Sequence, residues 1–249
     1  MGILLYEVAD SVCTITLNRP EVLNALDPAL INALDEAVQR AAADAEARVV
    51  VLTGAGRGFC SGGDVRGVGI DGDVPNTDRK IPPRGRSAAQ LLHDMPKPTI
   101  AMINGPAAGA GIGLAGACDL RIAAESATFL AAFARWGLAG DYGATYYWTK
   151  ILGVGKTRAL FMLNEKLDAR QALEFGIVHK VAPDGGLKAE VEALAARLAK
   201  TPARGWSLMK DSLNKAEHLA ITDALENELN NMTLSSQARA ERRRTDGGA

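Results

Sequence analysis

The chain has 249 residues, of which 47% are hydrophobic and 23% charged, which suits one globular domain with an ordinary core and perhaps a helical appendage. The formal net charge of −1 and an aromatic content of 5% argue against nucleic acid or an anionic membrane surface as a partner. No apolar run reaches the roughly 18 residues that a membrane span needs. The cysteines, which number 3, lack metal-ligand spacing, so we expect reduced, buried thiols in a cytoplasmic protein without a metal site.

The first third of the chain shows strand patterns interrupted by one helix. Residues 3–8 and 12–17 are strand-like and surround a short polar pair, which predicts a β-hairpin. Asp27 followed by proline predicts a helix start with Asp27 as the N-cap. Residues 49–53 are fully apolar, as in a strand covered on both faces. Residues 65–85 mix glycine, proline and charge without a period, which predicts a long mobile loop that serves as a lid.

The rest of the chain passes from strands to helices. The predicted strands are 99–103, 120–124, 128–131 and 177–181. The predicted helices are a short one of small residues near 109–117, a helical stretch from residue 142 onward, and later helices near 186–199, 203–215 and 219–233. This order indicates an α/β core in residues 1–185 and a helical C-terminal region in residues 186–249.

Two glycine-rich turns, residues 58–64 and 103–111, each follow an apolar strand-like run. Turns of this kind leave backbone N–H groups outside any strand ladder. Two such turns brought together would aim two N–H donors at one oxygen and form an oxyanion hole. The alternative interpretation is that both are tight turns without a ligand.

These segments resemble the crotonase (enoyl-CoA hydratase/isomerase) superfamily over roughly residues 3–235. The motifs that carry the resemblance are Thr16-Leu17-Asn18-Arg19-Pro20, Asn24-Ala25-Leu26, Val51-Leu52-Thr53-Gly54, the two turns, Cys118-Asp119-Leu120-Arg121-Ile122-Ala123, and Glu174-Phe175-Gly176-Ile177-Val178. The resemblance implies a spiral of ββα units and a helical C-terminal region that forms homotrimers or dimers of trimers. It also implies an acyl-CoA thioester as substrate, with coenzyme A as part of that substrate and no other cofactor.

Carried over by position, the resemblance implies that the backbone N–H groups of Gly63 and Ala110 are the oxyanion-hole donors. The helix dipole at the start of the short helix would add to the second donor. The substrate-binding positions that it implies are Arg19 near the nucleotide phosphates, Ala25 and Leu26 along the pantetheine path, Ser61, Gly62 and Asp64 at the adenine, and Gly109, Phe133 and Trp136 to complete the groove.

The resemblance also shows where this chain departs from the hydratases. Their two catalytic glutamates fall on Gly113 and Phe133, so ordinary hydration is not expected. The nearest titratable candidate is Asp141, in a segment similar to the one in which phenylacetyl-CoA-type isomerases place their catalytic aspartate. Asp141 is therefore either the base of an isomerisation through a thioester enolate or merely the N-cap of the next helix.

Several alternatives stay open. The enzyme could be a hydratase-type lyase, an acyl-CoA hydrolase or a carbon–carbon lyase, or the protein could bind acyl-CoA without catalysis. Gly111-Ile112-Gly113-Leu114-Ala115-Gly116 also matches a dinucleotide-binding fingerprint, although Glu125 lies too near to serve as the ribose acid. Cys60, beside the first turn, is a further candidate nucleophile, but no histidine is placed to activate it.

Overall fold

The computed structural model describes residues 2–65 and 87–246. Its strands are β1 (Leu4–Ala9), β2 (Val12–Leu17), β3 (Val49–Gly54), β4 (Thr99–Ile103), β5 (Ala107–Ala108), β6 (Leu120–Ala124), β7 (Thr128–Leu130), β8 (Leu167–Asp168) and β9 (Lys180–Ala182). Its α-helices are α1 (Pro28–Ala43), α2 (Ala88–Asp94), α3 (Ala110–Ala117), α4 (Ala144–Leu163), α5 (Ala169–Phe175), α6 (Leu187–Lys200), α7 (Ala203–Ala216) and α8 (Ile221–Asp246). Short 3-10 helices cover Pro20–Val22, Phe133–Trp136 and Asp184–Gly186. The predicted lid, residues 65–85, lies outside the described residues except for Val65.

A six-stranded sheet in the order β1-β2-β3-β4-β6-β9 forms the centre of the fold. The β1–β2 pair is antiparallel and the other four pairs are parallel. Every residue of β3 is buried, because Val50 and Leu52 pack into one hydrophobic cluster while Val49 and Val51 pack into a second one on the other face. This confirms the prediction of a strand covered on both faces.

Helix α6 closes the second face of this sheet. Its residues Leu187, Val191 and Ala195 belong to the same cluster as Val49 and Val51. The first helix of the predicted C-terminal region therefore packs directly on the α/β core, whereas α7 and α8 pack mainly against each other.

The predicted hairpin turn and the predicted helix cap near the N-terminus are both present. Asp10 and Ser11 adopt φ values of 48° and 64°, as a two-residue hairpin turn between β1 and β2 requires. The Asp27 carboxylate accepts a hydrogen bond of 2.8 Å from the Leu30 backbone N–H and caps α1. Both predictions are confirmed.

Three predicted boundaries were wrong. The late strand covers 180–182 rather than 177–181, and the last helix continues to Asp246 because no glycine or proline interrupts residues 221–246. Helix α4 begins at Ala144 rather than 142, since Tyr142 and Gly143 have left-handed φ values of 52° and 68°.

In the part of the chain that the structure describes, no helix is long and apolar enough to cross a membrane. Within the same ranges, no group of three or more metal-ligating side chains could hold a metal ion. All three cysteines are buried free thiols, as expected.

A buried lysine ties α7 to the core. Lys210 Nζ donates to Leu92 O at 3.0 Å, to Lys97 O at 3.1 Å and to the Asp119 carboxylate at 2.9 Å. The same carboxylate accepts from the Thr99 backbone N–H at 2.7 Å. The Lys210 ammonium therefore donates to acceptors on α2 and on the loops that precede β4 and β6.

We expect Lys210→Met to lower the free energy of unfolding by about 2–3 kcal/mol, because it removes the cation paired with the Asp119 carboxylate and one hydrogen-bond donor from each of the Leu92 and Lys97 carbonyls. Lys188→Met is the matched control, since its side chain is 80% exposed and pairs with Glu192 on the surface of the same helix. Its change should stay within about 0.5 kcal/mol in urea denaturation. Equal effects of the two substitutions would contradict this role of Lys210.

Candidate active site

The two glycine-rich turns lie in direct backbone contact. Cys60 and Ala107 form an isolated parallel bridge, and the Ala108 N–H donates to Cys60 O at 2.9 Å. A Cβ added to Gly62, whose φ is +96°, would lie 2.9 Å from Ala108 O and 3.3 Å from Ala110 N. No side chain fits at Gly62 without moving one of the turns.

Backbone hydrogen bonds of the residues on either side of Gly63 fix the position of its N–H group. Leu26 N–H donates to Gly62 O at 2.7 Å, and Asp64 N–H donates to Leu26 O at 3.0 Å. Leu26 and Gly63 thereby form an isolated parallel bridge, in which the N–H of Gly63 points away from Leu26. Within the described residues, neither the Gly63 N–H nor the Ala110 N–H donates to a protein acceptor.

Both donor residues border the same open space. Ala110 is the first residue of α3, where backbone N–H groups have no partner inside the helix and where the dipole favours negative charge. Nothing lies within 4 Å of the position that a Gly63 Cβ would occupy. The arrangement can therefore offer two N–H groups to an oxygen atom of a ligand.

Two asparagines hold the chain that leads into the first turn. Asn24, which is fully buried, donates from Nδ2 to Ala55 O at 3.0 Å and to Gly58 O at 2.7 Å. Asn104 Nδ2 donates to Gly56 O at 2.9 Å and to Gly58 O at 3.2 Å. Sequence reasoning quoted both residues within motifs but missed this positioning role, which depends on contacts between segments distant in the chain.

Arg19 does not have the surroundings expected of a phosphate ligand. Its Nη2 lies 3.2 Å from a carboxylate oxygen of Asp27 and 3.2 Å from one of Asp64, and its Nη1 donates to Ala25 O at 2.5 Å. The guanidinium group is thus engaged inside the protein, where it joins the start of α1 to the end of the first turn.

A cavity of about 700 Å³ opens beside the two turns. The expected site residues that line it are Leu26, Ser61, Gly62, Gly63, Asp64, Gly109, Ala110, Phe133, Trp136 and Asp141. Arg19 and Ala25 are not part of this lining. The structure therefore brings the predicted donors, the predicted base and most predicted binding residues to one cavity.

Asp141 is exposed at the wall of this cavity, and one of its carboxylate oxygens accepts from the Tyr142 backbone N–H at 2.7 Å. The N-cap of α4 is Gly143, and no side chain caps this helix. The interpretation of Asp141 as a helix cap was therefore wrong. Asp141 and Tyr142 also line a second cavity of about 910 Å³, between α2, α4 and α7.

Phe133 stands at one of the two positions where the hydratases are expected to carry a catalytic glutamate. Phe133 is buried, and its ring stacks on Phe161 with a centroid distance of 6.1 Å. The edge of the Phe133 ring lies 4.0 Å from the position of a Cβ on Gly109. An aromatic ring therefore borders the cavity next to the second turn.

Two alternatives are not supported by the geometry. The glycines of the dinucleotide fingerprint, Gly111, Gly113 and Gly116, lie inside α3, whereas that fingerprint requires a strand-to-helix turn. Burial raises the pKa of the Cys60 thiol to about 12, so that it stays protonated at neutral pH. A protonated, buried thiol is a poor nucleophile.

We expect Gly62→Ala to destabilise the protein by about 1–3 kcal/mol, because a left-handed φ and a collision with Ala108 O oppose the new methyl group. Gly63→Ala is the control, since its methyl group would enter open space and should change stability by less than about 0.5 kcal/mol. Chemical denaturation followed by circular dichroism measures both. A neutral Gly62→Ala would refute the close contact of the turns.

The chain is similar to known proteins over most of its length. The enoyl-CoA hydratase/isomerase family model matches residues 7–247. The chain is 37% identical to a Rhodobacter capsulatus protein named "Probable enoyl-CoA hydratase", over 88% of this chain and 82% of that one. It is 35% identical to the 1,2-epoxyphenylacetyl-CoA isomerase of Escherichia coli, over 96% and 92% of the two chains.

Among solved structures, an enoyl-CoA hydratase subunit from Geobacillus kaustophilus superimposes with a TM-score of 0.85 at 27% identity, covering 99% of this chain and 94% of that one. The expected crotonase-like α/β fold is thereby confirmed. On the family match and on relatives aligned over most of its length, this chain belongs to the enoyl-CoA hydratase/isomerase family.

Proposed function

We propose that this protein isomerises the double bond of an acyl-CoA thioester through an enolate. The observation that carries the proposal is one cavity whose lining contains both backbone donors, Gly63 and Ala110, together with the carboxylate of Asp141. An oxyanion hole stabilises the charge of an enolate, and a carboxylate can move the proton that creates it.

Asp141 is the best candidate base among the carboxylates of the cavity. Asp27 and Asp64 also line it, but both pair with the Arg19 guanidinium, and Asp27 caps α1. Asp27 and Asp64 thus have structural roles that fix them in place. The Asp141 carboxylate is oriented by a hydrogen bond from the backbone N–H of Tyr142, outside any helix cap.

In the proposed reaction, the thioester oxygen accepts hydrogen bonds from the Gly63 and Ala110 N–H groups. Asp141 removes a proton from the α or the γ carbon of the acyl chain, and the electron pair moves onto the thioester oxygen as an enolate. The protonated Asp141 then returns the proton at the other carbon, so that the double bond shifts while atoms and electrons balance. Loss of one oxyanion donor typically costs about 10²–10³ in rate.

The remaining expected residues have proposed roles in substrate binding. Leu26 and the backbone of Ser61–Asp64 border the cavity and suit the pantetheine and adenine parts of coenzyme A. Phe133 and Trp136 give the acyl group an apolar wall. Ala25 and Arg19 support this groove from behind it, and coenzyme A enters as part of the substrate.

Hydration is the activity in the names of two of the similar proteins reported above, but two positions disfavour it here. Gly113 has no side chain, and Phe133 is a buried ring stacked on Phe161. Neither can activate water or deliver a proton. Acyl-CoA hydrolysis, carbon–carbon cleavage and binding without catalysis are the other outcomes that the following experiment separates.

The test is proton–deuterium exchange in D₂O at the α and γ carbons of a panel of acyl-CoAs, followed by NMR. We expect wild-type exchange with at least one thioester and a loss of at least about 10²-fold in Asp141→Asn, because the amide cannot accept the proton. Asp94→Asn is the matched control, since Asp94 lies in the neighbouring cavity and not in the one beside the turns.

The outcomes separate the alternatives. Wild-type turnover in Asp141→Asn would contradict the proposed base. Coenzyme A binding without exchange, measured by calorimetry on the same samples, would favour a binder, and release of free thiol would favour a hydrolase. If Asp94→Asn lost as much exchange activity as Asp141→Asn, the loss would come from removing a negative charge and not from the position of Asp141.

We further propose that residues 186–249 assemble the chain into a homotrimer or a dimer of trimers. Helix α8 carries Ile221, Leu225, Leu229 and Met232 on one face, and these side chains are 58–73% exposed. An apolar face of this kind on a long helix marks an interface rather than a free surface.

Light scattering coupled to size-exclusion chromatography should therefore give a mass of three or six chains of 26.2 kDa. We expect Leu225→Glu combined with Leu229→Glu to reduce this mass to one chain, because charges would be buried in the interface. Asn230→Glu, on another face of α8, should leave the mass unchanged. A monomeric wild-type protein would exclude this assembly.

A further inference from the structure

The middle of α3 touches the segment that carries Asp141. Gly113 lies three residues after Ala110, about 4.5 Å further along the helix axis. A Cβ at Gly113 would be 2.9 Å from Tyr142 Cβ, 3.0 Å from Asp141 O and 3.0 Å from Tyr142 O. Two of these neighbours are backbone atoms, which cannot rotate away as the end of a flexible side chain would.

The segment on the other side of this contact is itself held tightly. Asp141 O accepts from Ala144 N–H at 3.0 Å, and its carboxylate accepts from Tyr142 N–H at 2.7 Å. Tyr142 is buried and has a left-handed φ of 52°, which a side-chain-bearing residue adopts only where its surroundings impose it. The contact with α3 is one of those surroundings.

We propose that Gly113 is a positioning residue for Asp141. Because Gly113 has no side chain, the 141–142 backbone rests directly on α3, the helix whose first N–H, at Ala110, is the proposed oxyanion donor. One close contact thus sets the separation between the base and the donor. The inference rests on the proposed function, since it assigns Gly113 a role in the same isomerisation.

A consequence is that a side chain at position 113 excludes the observed path of residues 141–142. Any Cβ there would force the segment away from α3 and move the Asp141 carboxylate relative to Ala110 N–H. A carboxylate carried by position 113 and one carried by position 141 are therefore alternative occupants of this part of the site. The absence of a side chain at Gly113 and the position of Asp141 are thus linked by one steric contact.

The test compares Gly113→Ala with Gly116→Ala, which adds the same methyl group to the same helix. The nearest atoms to a Cβ at Gly116 would be side-chain atoms of Trp148 and Tyr147, at 3.2–3.4 Å. We expect kcat for the exchange reaction to fall about 10–100-fold in Gly113→Ala with KM within twofold, because a displacement near 1 Å misplaces the base. Gly116→Ala should stay within about threefold of wild type in kcat.

A double-mutant cycle separates positioning from general damage to the fold. In the Asp141→Asn background, Gly113→Ala should cause no further loss, because the group it misplaces is already absent. The same fold-loss in both backgrounds would overturn the inference. Wild-type kcat in Gly113→Ala, with Asp141→Asn inactive, would overturn it and leave the proposed function standing, whereas an active Asp141→Asn would overturn the proposed function.

Tyr142→Gly provides a second variant if Gly113→Ala does not fold. It removes the Cβ that lies against position 113 and releases the left-handed backbone, without altering α3. We expect the same pattern, a lower kcat with KM retained and no additivity with Asp141→Asn. Unchanged kcat in Tyr142→Gly would show that the packing of this segment on α3 does not place the base.

Discussion

The site depends on close approach between two stretches of backbone. A Cβ at Gly111 would lie 2.1 Å from Cys60 O, and one at Gly62 would lie 2.9 Å from Ala108 O. Because the proposed donors are backbone N–H groups, only the course of the main chain can bring them together. Glycine is required at these contacts, and the side-chain hydrogen bonds of Asn24 and Asn104 keep the approaching turn in place.

The proposed base lies on a different kind of structure from the proposed donor at Ala110. Ala110 begins a helix whose residues are all buried, so that its N–H is fixed by the core and needs no reorganisation when charge develops. Asp141 belongs to an exposed segment with left-handed residues at Gly137, Tyr142 and Gly143. The proposed oxyanion donor at Ala110 is therefore fixed by the core, while the proposed proton-transfer group is placed by an exposed segment that depends on its packing contacts.

Sequence reasoning succeeded where a signal is local. The Asp27 cap, the hairpin and both glycine-rich turns each follow from a few adjacent residues, and the order of motifs indicated the family. It failed where partners are distant in the chain. The ion pair of Arg19 with Asp64 and the contact of Gly113 with Tyr142 join separate segments. The cap interpretation of Asp141 failed because two left-handed residues delay the start of α4.

Helix α3 shows why glycine patterns in this fold are easily misread. Its glycines match a nucleotide-binding fingerprint in sequence, yet each meets a different packing demand. Gly111 admits the carbonyl of Cys60, Gly113 admits the backbone of residues 141–142, and Gly116 faces the Trp148 ring. The contacts at Gly111 and Gly113 bring backbone closer to the helix than alanine would allow. These glycines are what allow the donor turn and the segment of the proposed base to pack on one rigid helix.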